Sequence, residues 1–334
     1  MTKKRWVAIA IALALLVVRG FSFGSTNESV TDALSEDDVT EVVVTERSLD
    51  KKIARLKVDG AIGPSEDGGL FGSEGYNHEV FMSSLKKIEE DDTVKGILLE
   101  VNSPGGGVYE SAEISRALTH LQKERKLPIY VSMKNMAASG GYYISAKADK
   151  IFATEETMTG SIGVIMSGLN MSELLDKLGV KDESVKSGEL KDIGSSTRKW
   201  TEKDRKVLQE MVDTSYNRFV NLISEGRDMS VEDVKKIADG RIYDGTQALE
   251  NGLVDEIGFP DQALEGLRKD KKLKEASIVE YEASSKLLSG YLGKSWLGAS
   301  AKKILKNKNV DLDSIVKNSS TTEAPRLMYQ YGGE

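Results

Sequence analysis

The apolar positions of the chain fall into distinct regimes. Trp6–Val18 is an uncharged run, preceded by Lys3, Lys4 and Arg5 and followed by Arg19. Residues 25–50 are polar and acidic, with no durable apolar period. From Lys52 the spacing of strands and helices sets in. Ile53–Val58 alternates as a short strand, and Val80, Phe81, Leu85 and Ile88 share one face of a helix over Asn77–Glu90. Val94–Val101 is continuously apolar, as a strand buried on both faces of a parallel sheet requires. Glu110–Arg125 predicts a helix with Ile114, Ala117, Leu118 and Leu121 inward; Pro128 stops it, and Ile129–Met133 is the next strand. A small-residue turn, Lys134–Tyr143, leads into a helix over Tyr142–Ala148 and a strand over Lys150–Ala153. This alternation predicts an α/β domain with β-α-β crossovers.

Beyond it, Thr159–Met166 reads as a glycine-punctuated strand, and Met171, Leu174, Leu175 and Leu178 line a helix. Glu202–Glu225 is a long amphipathic helix, with shorter elements in Asp239–Asp255 and Ala276–Val279. Residues 284–324 carry no assignable pattern, and 325–331 form an apolar-tipped tail.

The N-terminal run is short for a membrane span. Counted through Phe23 with Arg19 snorkelling it has eighteen residues. That is about 27 Å of helix, against a hydrocarbon core of ~30 Å. No Ala-x-Ala site follows, and Ser22-Phe23-Gly24 is only a weak one. Residues 6–23 therefore read as an uncleaved signal anchor in preference to a cleaved signal peptide. The flank 1–5 would be cytoplasmic, and the body extracytoplasmic. Residues 24–51 would form a flexible stalk, 52–283 the folded domain and 284–334 an extension and tail.

Composition narrows the chemistry. The 334 residues carry a net charge of −7 and no aromatic-interleaved basic patch, which argues against nucleic acid as a partner. The chain has no cysteine, which excludes a thiol nucleophile, a thiolate metal site and disulfides. His78-Glu79 lacks the second histidine of a zinc-protease helix, and His120 sits mid-helix among polar residues. Both histidines read as surface or packing residues, so a hydrolytic base would come from elsewhere.

Function in open α/β sheets gathers at the carboxyl ends of strands. Two strands here end in Asn102-Ser103-Pro104-Gly105-Gly106-Gly107 and in Asn135–Gly141. Glycines let a backbone approach a ligand and turn its amides outward. Glu110 stands where a dinucleotide fingerprint needs glycine, and Leu288 where a P-loop ending at Gly293-Lys294-Ser295 needs one, so neither nucleotide motif holds. Taken alone, Ser139-Gly140-Gly141 is a packing turn and Lys191 a solvated charge.

Four segments together say more. Asn102–Gly107, Met136–Tyr143, Thr159–Val164 and Lys186-Ser187-Gly188-x-x-Lys191, with the N-terminal anchor, resemble the bacterial signal peptide peptidase A family in its short, Gram-positive-type form. The match runs from about Ile53 to Tyr281. The resemblance implies a ClpP/crotonase-like α/β fold and a serine protease with a Ser-Lys dyad, without cofactor or metal. By motif position Ser139 is the nucleophile, Lys191 the general base and Ser161 the residue orienting the lysine, with the Gly106 and Gly140 amides as oxyanion hole. It further implies a homo-oligomeric ring or dome on the outer face of the membrane, with serine and lysine from neighbouring subunits. The implied substrates are signal peptides left in the membrane after preprotein processing.

A lysine accepts a proton only when neutral, and its reference pKa is ~10.4. The reading therefore requires Lys191 to be desolvated, with Glu189 and Asp192 turned away from it. The pocket is expected to accept small or apolar side chains, and Leu327-Met328-Tyr329 looks like a peptide the site could trim from its own chain. Two alternatives keep the fold: a crotonase-type acyl-CoA enzyme using the same two amides, and a non-enzymatic membrane scaffold.

Overall fold

The computed structural model describes residues 39–48, 50–64, 75–283 and 327–330. The expected anchor, 6–23, lies outside them. Among the described residues no helix is long and apolar enough to cross a membrane.

Four parallel strands form the centre of one sheet: β2 (Lys52–Asp59), β3 (Val94–Ser103), β5 (Ile129–Ala138) and β6 (Lys150–Ala153), side by side in that order. Parallel neighbours need crossovers. Helices α1 (His78–Glu90), α2 (Val108–Glu124) and α3 (Gly140–Ser145) supply them. On one flank β10 (Ser277–Ala283) pairs parallel with β2 and antiparallel with β1 (Val39–Thr45). On the other, β9 (Glu256–Ile257) pairs with β6. The far end of β5 pairs with β7 (Met158–Gly160), which is joined by β8 (Ile242–Tyr243).

Both faces of this sheet are covered, which is why β3 reads as continuously apolar. Phe81, Leu85 and Ile88 of α1 and Ile114, Leu118 and Leu121 of α2 pack on Leu56, Val58, Leu99 and Val101. On the opposite face Ala263 and Leu267 of α8 (Pro260–Asp270) pack on Ile53, Leu98, Tyr130 and Phe152. Each large side chain so buried contributes about 1.5–3 kcal/mol. The remaining helices are α4 (Ser172–Leu178), α5 (Glu202–Arg227), α6 (Val231–Ile237) and α7 (Gly245–Glu250). Thr201 and Asp204 cap α5 reciprocally, and its Phe219, Val220 and Ile223 join the main core.

Several expectations need correction. The expected stalk, 24–51, contains β1, because Val39 is buried and the strand pairs along β10, so ordered structure begins before Lys52. β5 does not end at Met133 but runs through Ala138, directly into Ser139. The triple glycine is itself a strand, β4 (Gly105–Gly107), and the tail contributes β11 (Met328–Gln330), paired antiparallel with it. The helix expected through Met171, Leu174, Leu175 and Leu178 forms over Ser172–Leu178, with Leu174 and Leu178 exposed, at 55% and 67%. His78 is a packing residue: Tyr76 Oη lies 2.5 Å from its Nδ1, and its Nε2 lies 2.9 Å from Glu113 Oε2.

Candidate active site

Ser139 is placed by the sheet. β5 carries it to the point where Ala138 faces Gly160 of β7, and its N–H donates to the Gly160 carbonyl at 2.8 Å. Its own carbonyl accepts the Tyr143 N–H at 2.8 Å, which starts α3. Between these two commitments Ser139 adopts φ 52° and ψ −112°. A positive φ at a non-glycine residue costs on the order of 1–3 kcal/mol and persists only where the surroundings over-determine it. Ser161, the residue after Gly160, is strained in the same sense, at φ 48°. Its N–H donates to the Arg241 carbonyl at 2.8 Å. The two serines thus leave adjacent strand ends, and both line a cavity of about 400 Å³ with Val164, Tyr216, Asp213 and Asp239.

The glycines are required by close approach. A Cβ on Gly140 would stand 2.7 Å from Ser111 Oγ and 3.1 Å from the Gly106 nitrogen. One on Gly106 would stand 1.7 Å from the Ile62 carbonyl oxygen. Ile62 holds β4 from one side: its N–H donates to Gly105 at 2.8 Å, and its carbonyl accepts from Gly107 at 2.7 Å. The strand's alternation turns the Gly106 amide to the other side, where β11 runs with Tyr329 opposite Gly106.

That tail strand lies as an extended peptide between two backbones. Met328 exchanges both backbone hydrogen bonds with Ile165, at 3.0 and 3.1 Å, while β11 pairs with β4 on its other edge. The Tyr329 carbonyl oxygen and the Gly140 nitrogen crowd the same side of Gly105: a Cβ there would lie 2.1 Å from one and 2.6 Å from the other. The Tyr329 side chain is 1% exposed. Its ring stacks on Tyr143 at 4.8 Å and meets Phe219 at 4.8 Å, and its hydroxyl donates to the Ser215 carbonyl at 3.1 Å. Burial pushes that hydroxyl's pKa up, so it stays a donor at any working pH. The pocket has an aromatic wall and a polar floor, and it holds a side chain as large as tyrosine. Its wall residues, Tyr143 and Phe219, carry no mark in the sequence. The signal that existed was the aromatic in the tail.

Ser139, Ser161, Gly106 and Gly140 converge in this way; Lys191 does not join them. It follows Gly188 in a turn closed by its own N–H to the Gly188 carbonyl at 3.1 Å. It does not appear among the described residues lining the cavity, and its side chain has no partner among them. Every residue from 176 to 191 is exposed, including Leu178, Val180 and Val185. The neighbouring carboxylates are occupied as the dyad reading requires. Glu189 pairs with Lys203 at 2.7 Å, and Asp192 with Lys186 at 2.6 Å and Arg198 at 2.8 Å. Arg198 first, and Lys186 after it, hold the Asp192 carboxyl well below the usual carboxylate range.

A hydroxyl lifted on a strained strand-to-helix turn, with amides aimed beside an extended backbone, can attack a peptide carbonyl and hold the resulting oxyanion. This is an architecture suited to a serine hydrolase. The chain belongs to peptidase family S49, whose model matches residues 121–274, and it is a serine peptidase. It is 47% identical, over the whole of both chains, to a candidate signal peptide peptidase SppA of Enterococcus faecium. Protease 4 of Haemophilus influenzae is 36% identical across 65% of this chain and 34% of its own length. The chloroplastic serine protease SPPA of Arabidopsis thaliana is 27% identical across 66% of this chain and 33% of its own. Among solved structures, a mutant ClpP1 from Listeria monocytogenes superposes with a TM-score of 0.40 at 18% identity, covering 63% of this chain and 94% of that one. These protease relatives remove the scaffold reading and disfavour acyl-CoA chemistry.

Proposed function

We propose that this peptidase is anchored in the cell membrane by residues 6–23, with its N-terminus cytoplasmic. Its catalytic domain then lies outside, and it degrades signal peptides that remain in the membrane after preprotein processing. Ser139 Oγ attacks the scissile carbonyl while the neutral Lys191 amine takes its proton. The Gly106 and Gly140 amides receive the oxyanion, and Ser161 orients the lysine. The lysine then passes the proton to the leaving amine, and an acyl-enzyme remains. Water, deprotonated by the same amine, attacks it and releases the acid product and Ser139.

The observation that carries this reading is the tail strand, an extended peptide with one carbonyl beside the Gly140 amide and one side chain in a closed pocket. A signal peptide drawn from the bilayer and straightened presents the same backbone edges, and β-strand addition reads them without regard to sequence. The tail itself is a substrate on this account, trimmed between Tyr329 and Gln330.

Lys191 comes from the neighbouring subunit of a homo-oligomeric ring or dome. Support lies in the arm around it: an exposed segment with apolar Leu178, Val180 and Val185 has the composition of a contact surface. Docking would remove water from the amine, which favours its neutral form.

The test is cleavage of a signal-peptide-like peptide by purified protein. Ser139→Ala and Lys191→Ala should each abolish cleavage, and retained activity in either variant would end the assignment. Intact mass should fall by the residues after Tyr329 on long incubation of the wild type, and not of Ser139→Ala. Loss of roughly two dozen N-terminal residues from the mature protein would rule out the anchor.

A further inference from the structure

We propose that Arg198 is a positioning residue for the base: it draws the Asp192 carboxylate off the adjacent Lys191 and ties that end of the arm to α5, an inference that rests on Lys191 being the base. A carboxylate within ~4–6 Å of an amine favours the ammonium form, which cannot accept a proton. Asp192 follows Lys191 directly in the chain and is the carboxylate best placed to do this harm.

Arg198 prevents it with a two-pronged grip. Its Nε donates to Asp192 Oδ2 at 2.9 Å, and its Nη2 to Oδ1 at 2.8 Å. The remaining face of the guanidinium turns to α5, where Nη1 lies 2.5 Å from Asp204 Oδ2 and Nη2 3.1 Å from Oδ1. Asp204 is fully buried and is also the capping partner of Thr201, so the far end of the latch is fixed. Only arginine has a planar fork able to hold two carboxylates at once. Lys186 adds a second cation to Asp192, and Lys203 holds Glu189. In the cavity that would receive the amine, Asp239 is held by Arg241, and Asp213 accepts from Gln209 Nε2 at 2.7 Å. Asp192, Glu189 and Asp239 each have a cation, while Lys191 has no anion among the described residues.

The experiment is the pH dependence of kcat/KM for peptide cleavage by the full-length assembly, compared among wild type, Arg198→Gln, Arg198→Lys, Asp192→Asn and the Arg198→Gln/Asp192→Asn double variant. A freed Asp192 should move the acid limb of Arg198→Gln up by about one pH unit or more, with Arg198→Lys falling between it and wild type. The double variant should bring the limb back to the wild-type position, because the charge that raised it is gone. A latch that only braces the loop would lower the rate equally at every pH and gain nothing from the second substitution; that result overturns the proposal. Should Arg198→Gln fail to fold, Asp192→Asn decides: its acid limb should lie at or below the wild-type pH, and an upward shift overturns the proposal. An active Lys191→Ala would instead sink the base assignment itself. An inactive Lys191→Ala with an unmoved Arg198→Gln limb would sink only the latch.

Discussion

The turn at Ser139 and the arm at Lys191 are opposite kinds of structure. Ser139 is 1% exposed, pinned by hydrogen bonds on both sides and held at a φ that its neighbours enforce. Lys191 ends a stretch, 176–191, in which every residue is exposed. Strain at the turn is stored because β5, β7 and α3 over-determine it. The arm stores nothing, because its apolar residues have no counterpart within the described residues of the chain. On the proposed reading, folding completes one half of the chemistry. The other half would await a surface.

Six substitutions test this contrast, and the largest effects should fall on the two proposed reacting groups. Ser139→Ala and Lys191→Ala should each lower kcat by about 10⁴-fold or more. Thermal melting of the separated subunit should be unchanged for Lys191→Ala, whose exposed side chain has no partner among the described residues to lose. Next, Gly140→Ala forces a Cβ to 2.7 Å from Ser111 Oγ, displacing the amide it carries. A loss of about 10²–10³ in kcat, the usual cost of one oxyanion donor, should follow. Val185, 101% exposed, marks the arm. Val185→Asp should leave the stability of the separated subunit within about 0.5 kcal/mol. If the arm docks on a neighbour, the buried charge costs about 2 kcal/mol or more, about thirtyfold in the assembly constant. Sedimentation and peptide cleavage would read both, and an active, assembled Val185→Asp would break the comparison.

The smaller effects concern the pocket and the arm's root. Tyr143→Ala removes one ring pair worth about 0.5–1.5 kcal/mol. Cleavage after tyrosine should fall by up to about tenfold, with less change after leucine; an equal loss on both would argue against the aromatic wall. Asp204→Asn should cost about 1 kcal/mol at neutral pH through the weakened cap and latch. The Asp204 carboxyl is held below its usual pKa, by Arg198 above all. Its stabilisation is therefore complete above the unfolded value and is lost as pH falls through the folded one. Denaturant titrations of the two proteins should converge in strong acid.

What could be read from the sequence follows from what leaves a mark there. Gly106 and Gly140 were legible because close backbone approach forbids a Cβ, and glycine records that prohibition; Ser139 stood out only through the family resemblance of the segments around it. β3 was legible because both faces are covered. The second half of β5 was not: Lys134 and Asn135 are exposed, so the run looks like a loop although its backbone continues along β3 and β7. β1 was hidden by acidic neighbours, with Val43 and Val44 half exposed. The pocket around Tyr329 was hidden for another reason. Tyr143, Ser215 and Phe219 come from two helices far apart in sequence, and only the fold brings them to one ring.

The central claim is that turn and arm meet across a subunit boundary. Ser139→Ala and Lys191→Ala proteins, each inactive, can be mixed under conditions that exchange subunits. Wherever a Lys191→Ala chain offers its Ser139 to the arm of a Ser139→Ala chain, an intact dyad forms. In a random head-to-tail ring that is one interface in four, so cleavage should recover to about a quarter of the wild-type rate. No recovery, in a mixture whose subunits have demonstrably exchanged, would contradict the account.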